Sequence, residues 1–280
     1  MDYITAEVPV SSVCNMDCKY CYIPKSNTLK KINSKWKKLI LDGTFFEILS
    51  ENFGSYKNIA NFSLWGGEPT WGFSYFFTNW EEITKYFNNA KEYSTSTNLT
   101  VVDEIKKWLI KLQDISFKRK AFFNIGIQVS IDGQEEITDK NRGKGAFKKI
   151  LKSINELGEF FNKNHFSNLN INIYSKQTHE ISDFIFLMEN ENNFIEYINL
   201  FNDISNYLND NKGKNNISIS FPPTTSLGLP GRYTTEEGKI FAKFTKFEYE
   251  IKKRLNLKYD SMYFNRFLKT ISELENIYKD

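Results

Sequence analysis

Two segments of this 280-residue chain alternate strictly between apolar and polar residues. Residues 125–132 place isoleucines and a valine at every second position, and residues 168–175 repeat the pattern with asparagines in between. A period of two is typical of a β-strand with two different faces. Between these segments, apolar residues recur at helical spacing over 147–161, which predicts a helix with one buried face.

Strand and helix patterns continue to alternate along most of the chain, and this alternation predicts an α/β fold with a parallel sheet. The pattern contains six β/α units. Their strands are predicted near residues 3–10, 59–65, 92–97, 125–132, 168–175 and 195–201.

The polar faces of the predicted strands need an explanation, because a strand buried on both faces is almost entirely apolar. An open barrel with a wet or ligand-filled interior provides one. Its apolar faces lie outward under the helices, and its polar faces point inward toward a substrate. The alternative is a sheet whose asparagine-rich face is simply exposed to solvent.

A more irregular segment follows the sixth unit. It contains a predicted strand at ISISF (217–221), a proline- and glycine-rich loop at 222–233, and helices near 234–255 and 261–278. We expect residues 1–215 to form the barrel core and residues 216–280 to cap it within the same domain. Because long irregular loops in compact domains are often functional, the loop is expected to cover the barrel mouth.

The bulk composition narrows the class of protein. A chain with 40% hydrophobic and 25% charged residues is an ordinary globular protein, and its net charge of +3 neither indicates nor excludes nucleic acid binding. The amino terminus has no basic region followed by a long apolar stretch, and the longest apolar runs are far too short to span a bilayer. These features predict a cytoplasmic protein without a membrane partner.

All three cysteines, Cys14, Cys18 and Cys21, fall within eight positions. Thiols so close together cannot all pair, so reduced cysteines that act as ligands are expected. A structural zinc needs four ligands and would have to recruit His165 or His179, the only histidines. An iron-sulfur cluster is favoured instead: ordinary clusters use four cysteines, so three would leave one iron open to an exogenous ligand. A purely structural role for the thiols is the remaining alternative.

The cysteines lie in CNMDCKYC, which fits C-x3-C-x2-C with an aromatic residue before the last cysteine. This segment resembles the signature of the radical S-adenosylmethionine (radical SAM) superfamily. The resemblance implies a partial (β/α)6 TIM-like barrel, here with a carboxy-terminal extension of one strand and two helices. It also implies that Cys14, Cys18 and Cys21 hold a 4Fe-4S cluster whose open iron binds S-adenosylmethionine (SAM), and that Tyr20 packs near the adenine.

A second segment, SLWGGEPT, strengthens the resemblance. Gly66, Gly67, Glu68 and Pro69 match the superfamily's GGEP motif, which follows the second strand and lies against the amino group of SAM. The residue types suit that role, because glycines let a backbone approach a ligand closely and a carboxylate suits an ammonium group.

A third segment, VSIDGQEEITDKNR, resembles the S-x-DG-x8-R segment of peptide- and protein-modifying members, including sulfatase maturases. By this resemblance Ser130 and Arg142 hold the SAM carboxylate, while Asp132 and Gly133 shape the end of the strand. A guanidinium group is well suited to a carboxylate clamp.

The sequence departs from these relatives in two places. The relatives usually carry a SPASM or twitch domain whose cysteines bind auxiliary clusters, whereas no cysteine follows Cys21 here, so auxiliary clusters are not expected. The segment STSTNLT resembles a TNG-type strand end but has Leu99 where glycine is usual. By the same resemblance, Asn98 is expected to bond the SAM ribose.

The resemblance implies a radical SAM enzyme, an oxidoreductase that reductively cleaves SAM at its cluster. Its 5'-deoxyadenosyl radical is expected to abstract hydrogen from a peptide or protein side chain, as in peptide modification or maturation. An external donor such as flavodoxin or ferredoxin is expected to supply the electron. Two alternatives remain open: a radical SAM enzyme acting on a nucleoside or RNA base, and a zinc-binding interaction module that is not an enzyme.

Overall fold

Six parallel strands form a single sheet in which their spatial order follows the sequence. The computed structural model describes residues 4–21, 23, 34–35, 37–53, 59–78, 89–222 and 234–256. The strands are β1 (Ile4–Ser11), β2 (Ile59–Gly66), β3 (Glu92–Thr97), β4 (Phe123–Ser130), β5 (Leu169–Lys176) and β6 (Asn216–Ser220). β1 and β6 lie at opposite edges of the sheet, which is therefore an open, partial barrel, as predicted.

Helices connect the strands and cover the apolar face of the sheet. They are α1 (Thr44–Phe53), α2 (Thr70–Thr78), α3 (Val102–Arg119), α4 (Glu135–Arg142), α5 (Ala146–Lys163), α6 (Ile181–Glu189), α7 (Glu191–Asn211) and α8 (Thr235–Arg254). The stripe predicted on α5 is confirmed, since Ile150, Ile154, Leu157 and Phe161 are buried. Parallel strands joined by helical crossovers are the arrangement that the alternating pattern predicts.

The strands have the two faces that the alternating pattern predicts. In β4, Phe123, Ile125, Ile127 and Val129 are buried under the helices, and the residues between them point to the concave side. β5 repeats the pattern, with Leu169, Ile171 and Ile173 in the core. The core therefore lies between the sheet and its helices, and the concave face of the sheet is left polar.

The sixth predicted strand, near residues 195–201, is wrong. This segment lies inside α7, whose buried residues recur three or four positions apart, as on one side of a helix. They are Phe194, Tyr197, Ile198, Phe201, Ile204 and Leu208. The sixth strand of the sheet is instead β6, at the ISISF segment that was assigned to the carboxy-terminal extension.

Helix α8 packs its aromatic residues against α6 and α7. The ring of Phe244 lies 4.7 Å from that of Phe184 and 5.8 Å from that of Phe194, measured between centroids. We therefore propose that the extension belongs to the same domain as the barrel core and begins after β6. The predicted loop at 222–233, apart from Pro222, and the predicted helix at 261–278 lie outside the described residues.

Candidate active site

The three cysteines lie in the segment that follows β1, at the edge of the sheet where the strands end. All three are free thiols; Cys14 and Cys18 are half-buried against the hydrophobic core and Cys21 is exposed. The backbone N–H of Lys19 donates to the carbonyl of Asn141 at 2.9 Å, which attaches the segment to the end of α4. Loops after parallel strands meet at one edge of a sheet, and the other predicted motifs lie there too.

Two of the thiols have distinct surroundings. Burial raises the pKa of the Cys18 thiol to about 11, although the charge of Arg142 acts in the opposite direction. The Cys14 sulfur faces donors instead: the backbone N–H of Met16 at 3.4 Å and the side-chain amide of Asn98 at 3.7 Å. The thiols of the loop thus differ in exposure and in the groups that surround them.

The two glycines of the GGEP segment are needed because this turn lies directly against the backbone that follows β1. A Cβ atom on Gly66 would lie 2.0 Å from the carbonyl oxygen of Ser11, and one on Gly67 would lie 2.5 Å from that of Val13. The N–H of Gly67 donates to Ser11 and that of Glu68 donates to Val13. The glycines therefore let the turn after β2 press directly against the start of the cysteine segment; their predicted approach to SAM stays a prediction.

The Glu68 carboxylate is buried and bonded to the end of β3. One oxygen accepts from the hydroxyls of Thr70 and Thr97 at 2.7 and 2.6 Å, and the other accepts from the backbone N–H of Asn98 at 2.7 Å. Burial raises the pKa of Glu68, while these hydrogen bonds act to lower it. Glu68 thereby joins the turn after β2 to the turn after β3, and Pro69 is buried directly before α2.

Asp132 and Arg142 form a buried ion pair behind the cysteine segment. The guanidinium Nε and Nη2 atoms donate to the two carboxylate oxygens at 2.8 and 2.7 Å. Tyr20 donates its hydroxyl to the same carboxylate at 2.7 Å, and its ring lies 5.5 Å from the guanidinium carbon. Burial acts to lower the pKa of Arg142, but the charge of Asp132 raises it above its ordinary value, so this side chain is a permanent cation.

This network brings together Tyr20, Asp132 and Arg142, which were predicted to lie in one site, and it pairs Arg142 with a protein carboxylate. Arg142 is directed to Asp132 within the protein, and its role on the SAM carboxylate stays a prediction. Ser130 ends β4 on the concave face, in register with the exposed Lys176 of β5. The sequence did not single out Lys176. Its alternation with Tyr174 along β5 is the signal that identifies it as an inward-facing cation.

Residues that hold the turns together were also missed by sequence reasoning. Thr97 and Thr100 position Glu68 and Asn98, and the ring Nε2 of buried His179 lies 2.7 Å from the carbonyl oxygen of Asp132. All three residues lie at the end of a strand or three residues after it, which is the only pattern that marks them. Burial lowers the pKa of His179, so its neutral form is favoured in the folded protein.

The donor set agrees with a cluster better than with a single ion. Within the described ranges, no group of three His, Cys, Asp or Glu side chains is close enough to hold one metal ion. The histidine nearest the cysteine segment, His179, already bonds the backbone of Asp132. Three thiols in one loop, with no fourth ligand beside them in this part of the structure, are the donor set that a cluster with one open iron would take.

The concave face of the sheet carries an open cavity of about 520 Å³ nearer the amino ends of the strands. One registered row of side chains crosses it: Asn61, Glu92, Asn124, Asn170 and Asn216. Within the row, Asn216 donates to Asn170, which donates to Asn124 at 3.0 Å. The inward-facing polar set predicted from the alternation therefore lines an open cavity below the cysteine edge, in which Glu92, Asn124 and Asn216 are exposed. Its occupation by a substrate stays a prediction.

One further finding concerns membranes. Among the described helices, none has both the length and the apolar character needed to cross a bilayer.

Comparison with known families gives one match over most of the chain. The family model described as the Radical SAM superfamily matches residues 8–188. This range includes the cysteine segment, the GGEP turn and the segment from Ser130 to Arg142.

Curated relatives show the same likeness. The cysteine-type anaerobic sulfatase-maturating enzyme of Clostridium perfringens is 27% identical over 218 residues, covering 75% of this chain and 54% of that protein. Its counterpart from Clostridium novyi is 32% identical over 160 residues, covering 54% and 39%. The serine-type enzyme of Bacteroides thetaiotaomicron is 29% identical over 156 residues, covering 53% and 35%. The chain thus spans about half the length, or less, of the curated relatives it matches.

Proposed function

This chain belongs to the radical SAM superfamily, as its motifs predicted, and we propose that it modifies a side chain of a polypeptide substrate. It is an enzyme of the radical SAM class, whose members use a 4Fe-4S cluster and SAM. The observation that carries the proposal is the convergence at one sheet edge of the cysteine segment, the GGEP turn, Asn98 and the Asp132–Arg142 pair.

In this proposal Cys14, Cys18 and Cys21 hold the cluster. When bound, the cluster and SAM supply the radical chemistry of the family, in which reductive cleavage of SAM yields a 5'-deoxyadenosyl radical that removes a hydrogen atom from the substrate. An external one-electron donor of the flavodoxin or ferredoxin type provides the electron. Ser130, at the rim of the concave face, is assigned to the SAM carboxylate.

The protein's own residues would orient the cofactors and exclude water. Tyr20, Asp132 and Arg142 fix the cysteine segment against the ends of β4 and α4 through buried, charge-assisted hydrogen bonds. Glu68 fixes the turns after β2 and β3 in the same way. Turns fixed in this way keep reactive groups in place, and bound cofactors would complete the exclusion of water.

The concave face supports a polypeptide as the substrate class. Its cavity is lined mainly by amides, hydroxyls and one carboxylate, together with Ile125, Ile171 and the rings of Tyr93 and Tyr174, and the described lining contains no arginine or lysine. Side-chain amides and hydroxyls match the donors and acceptors of peptide groups. Recognition of single-stranded RNA also requires a basic groove along the phosphate backbone, and the described lining of this cavity has no basic side chain. The names of the curated relatives, sulfatase-maturating enzymes of cysteine and serine type, agree with a protein substrate.

Anaerobic reconstitution tests the cluster assignment. We expect wild-type protein to bind four irons and four sulfides and to cleave SAM when dithionite is added. Replacement of Cys14, Cys18 or Cys21 by alanine should abolish both, because each change removes one of three thiolate ligands. The exposed change Lys239→Ala on α8 is the control and should leave both unchanged. Retained cleavage in a cysteine variant, or a colourless wild type that binds zinc, would contradict the assignment.

A labelled substrate tests the polypeptide assignment separately. Unmodified sulfatase polypeptides carrying deuterium on the Cβ atoms of cysteine or serine are incubated with loaded enzyme, SAM and reductant. Transfer of deuterium into 5'-deoxyadenosine, measured by mass spectrometry, is the expected result. If SAM is cleaved but 5'-deoxyadenosine acquires deuterium only from a labelled nucleoside or RNA, the polypeptide assignment is refuted. The cluster assignment is then left intact.

A further inference from the structure

The side-chain amide of Asn98 has a defined orientation. Its Oδ1 atom accepts from the backbone N–H of Thr100 at 3.0 Å and from the Thr100 hydroxyl at 2.6 Å. A backbone N–H can only donate a hydrogen bond, so the atom that faces it must be the oxygen of the amide. The NH2 group of Asn98 consequently points the other way.

Two acceptors lie on the side to which that NH2 group points. One is Oδ1 of Asn15 at 2.9 Å, and the other is the Cys14 sulfur at 3.7 Å. The amide has two N–H bonds, one for each acceptor. Asn98 is only 6% exposed, so water competes little for these bonds. Cys14 also receives the backbone N–H of Met16, and its sulfur therefore has two donors.

The turn that carries Asn98 is fixed from both sides. The backbone N–H of Asn98 donates to buried Glu68, and the next residue, Leu99, is fully buried at a φ of 59°. The left-handed backbone at Leu99 brings the Thr100 N–H back to the Asn98 side chain. The donor to Cys14 is thus positioned by the fold itself, before any cofactor is bound.

We propose that Asn98 is a positioning residue that donates a hydrogen bond to the Cys14 thiolate and raises the reduction potential of the cluster held there. The proposal rests on the assignment of Cys14 as a cluster ligand. Reduction adds one electron from the external donor and no proton, so the reduced cluster carries one more negative charge. An N–H donor stabilises the more negative state, and hydrogen bonds to the sulfurs are one of the factors that set cluster potentials.

This role differs from the expected contact between Asn98 and the SAM ribose. In the structure both N–H bonds and the oxygen of the amide are engaged by Asn15, Cys14 and Thr100. Asn98 acts on the thiolate and therefore influences every step that depends on the electron, without contacting the substrate.

A redox titration followed by electron paramagnetic resonance tests the proposal in anaerobically reconstituted protein. Asn98→Ala removes the donor, and Asn98→Ser removes the amide NH2 group while it retains a short, neutral acceptor for Thr100. Both should titrate at a more negative potential, with up to about a tenfold lower ratio of reduced to oxidised cluster at a fixed potential, or about 59 mV for one electron. Asn15→Ala is the matched control, because it removes the bonds of Asn15 to Asn98 and Thr100 but leaves the amide donor to Cys14, and it should titrate like wild type.

Wild-type potentials in both Asn98 variants, at full iron and sulfide content, would overturn the proposal. A second measurement avoids variants of Asn98 altogether. Wild-type protein labelled with ¹⁵N at the asparagine side-chain amide should show a weak magnetic coupling between this nitrogen and the reduced cluster, which Asn15→Ala should retain. Absence of the coupling would also overturn the proposal. Failure of wild-type protein to assemble a cluster would instead refute the proposed function.

Discussion

Leu99 combines full burial with a backbone conformation that leucine disfavours. Its φ of 59° lies in the left-handed region, which costs a non-glycine residue about 1–2 kcal/mol. Its side chain is completely buried, and loss of a buried leucine costs about 2–5 kcal/mol. Burial of the side chain therefore outweighs the backbone strain. This comparison explains how leucine can stand at the position where the resembling motif has glycine.

Replacement of Leu99 by glycine should therefore destabilise the protein. The relief of backbone strain is smaller than the loss of packing, so we expect the free energy of unfolding to fall by about 1–3 kcal/mol. Urea denaturation of the cluster-free protein measures it. Lys120→Gly is the matched control, because Lys120 has a φ of 49° at the end of α3 but an exposed side chain. This variant should be as stable as wild type or up to about 1 kcal/mol more stable. A Leu99→Gly protein more stable than wild type would contradict the argument.

Single residues also show how far sequence reasoning reaches. Spacing predicts that Cys14, Cys18 and Cys21 are ligands, because thiols so close along a loop can converge on one centre. It did not identify the partner of Arg142, since the pairing with Asp132 depends on how α4 turns back against the end of β4. Neither the motif resemblance nor the residue spacing specifies the orientation of α4 relative to β4.

At the level of elements, predictions of secondary structure were correct where the apolar pattern was long and wrong where it was short. The stripe over α5 extends for four turns and predicted a helix correctly. The segment 195–201 is only seven residues long, and such a short apolar stretch does not distinguish a strand from part of a helix. The buried positions of α7, from Phe194 to Leu208, show the helical period only when the whole element is considered.

The contact between α5 and α7 depends on a glycine. A Cβ on Gly158 would lie 2.7 Å from the ring of Tyr207, whose hydroxyl donates to the carbonyl of Asn155 at 2.9 Å. Gly158→Ala should displace that ring, and the overpacking cost of about 1–3 kcal/mol should exceed the gain in helix propensity of about 1 kcal/mol.

Gly238 provides the matched control. It lies on α8, and a Cβ there would meet no atom within 4 Å, so Gly238→Ala should stabilise the protein by about 0.5–1 kcal/mol. Denaturant midpoints of the two variants should move in opposite directions from wild type. If both variants were equally stabilised, the Tyr207 ring would have moved without an energetic cost, and the prediction for Gly158→Ala would be wrong.

At the scale of the whole molecule, the topology separates two regions of the concave side. Every strand is parallel, so the turns that follow β1, β2, β3 and β4 meet at one edge, where the candidate ligands lie. The asparagine row lies toward the opposite ends of the strands. The alternation of apolar and polar residues was sufficient to predict a parallel sheet and its two faces, although the sixth strand was placed at 195–201 instead of at β6. The candidate site residues were predicted from the motifs. The bonds between the turns required the three-dimensional arrangement.

This separation predicts which backbone amides exchange more slowly when the cluster and SAM are bound. Backbone amides in the turns at 14–21, 66–70, 98–100 and 130–133 lie beside the candidate ligands, and opening of such turns allows hydrogen exchange. Loading with cluster and SAM should slow their exchange, since a ligand that binds only the closed state stabilises it. Amides in the turns at 120–122 and 164–168, at the amino ends of β4 and β5, serve as an internal control and should exchange unchanged. Mass spectrometry of peptic fragments under anaerobic conditions measures both sets. Protection concentrated at the amino ends of the strands would place the cofactors on the asparagine row and contradict the assignment of the cysteine edge.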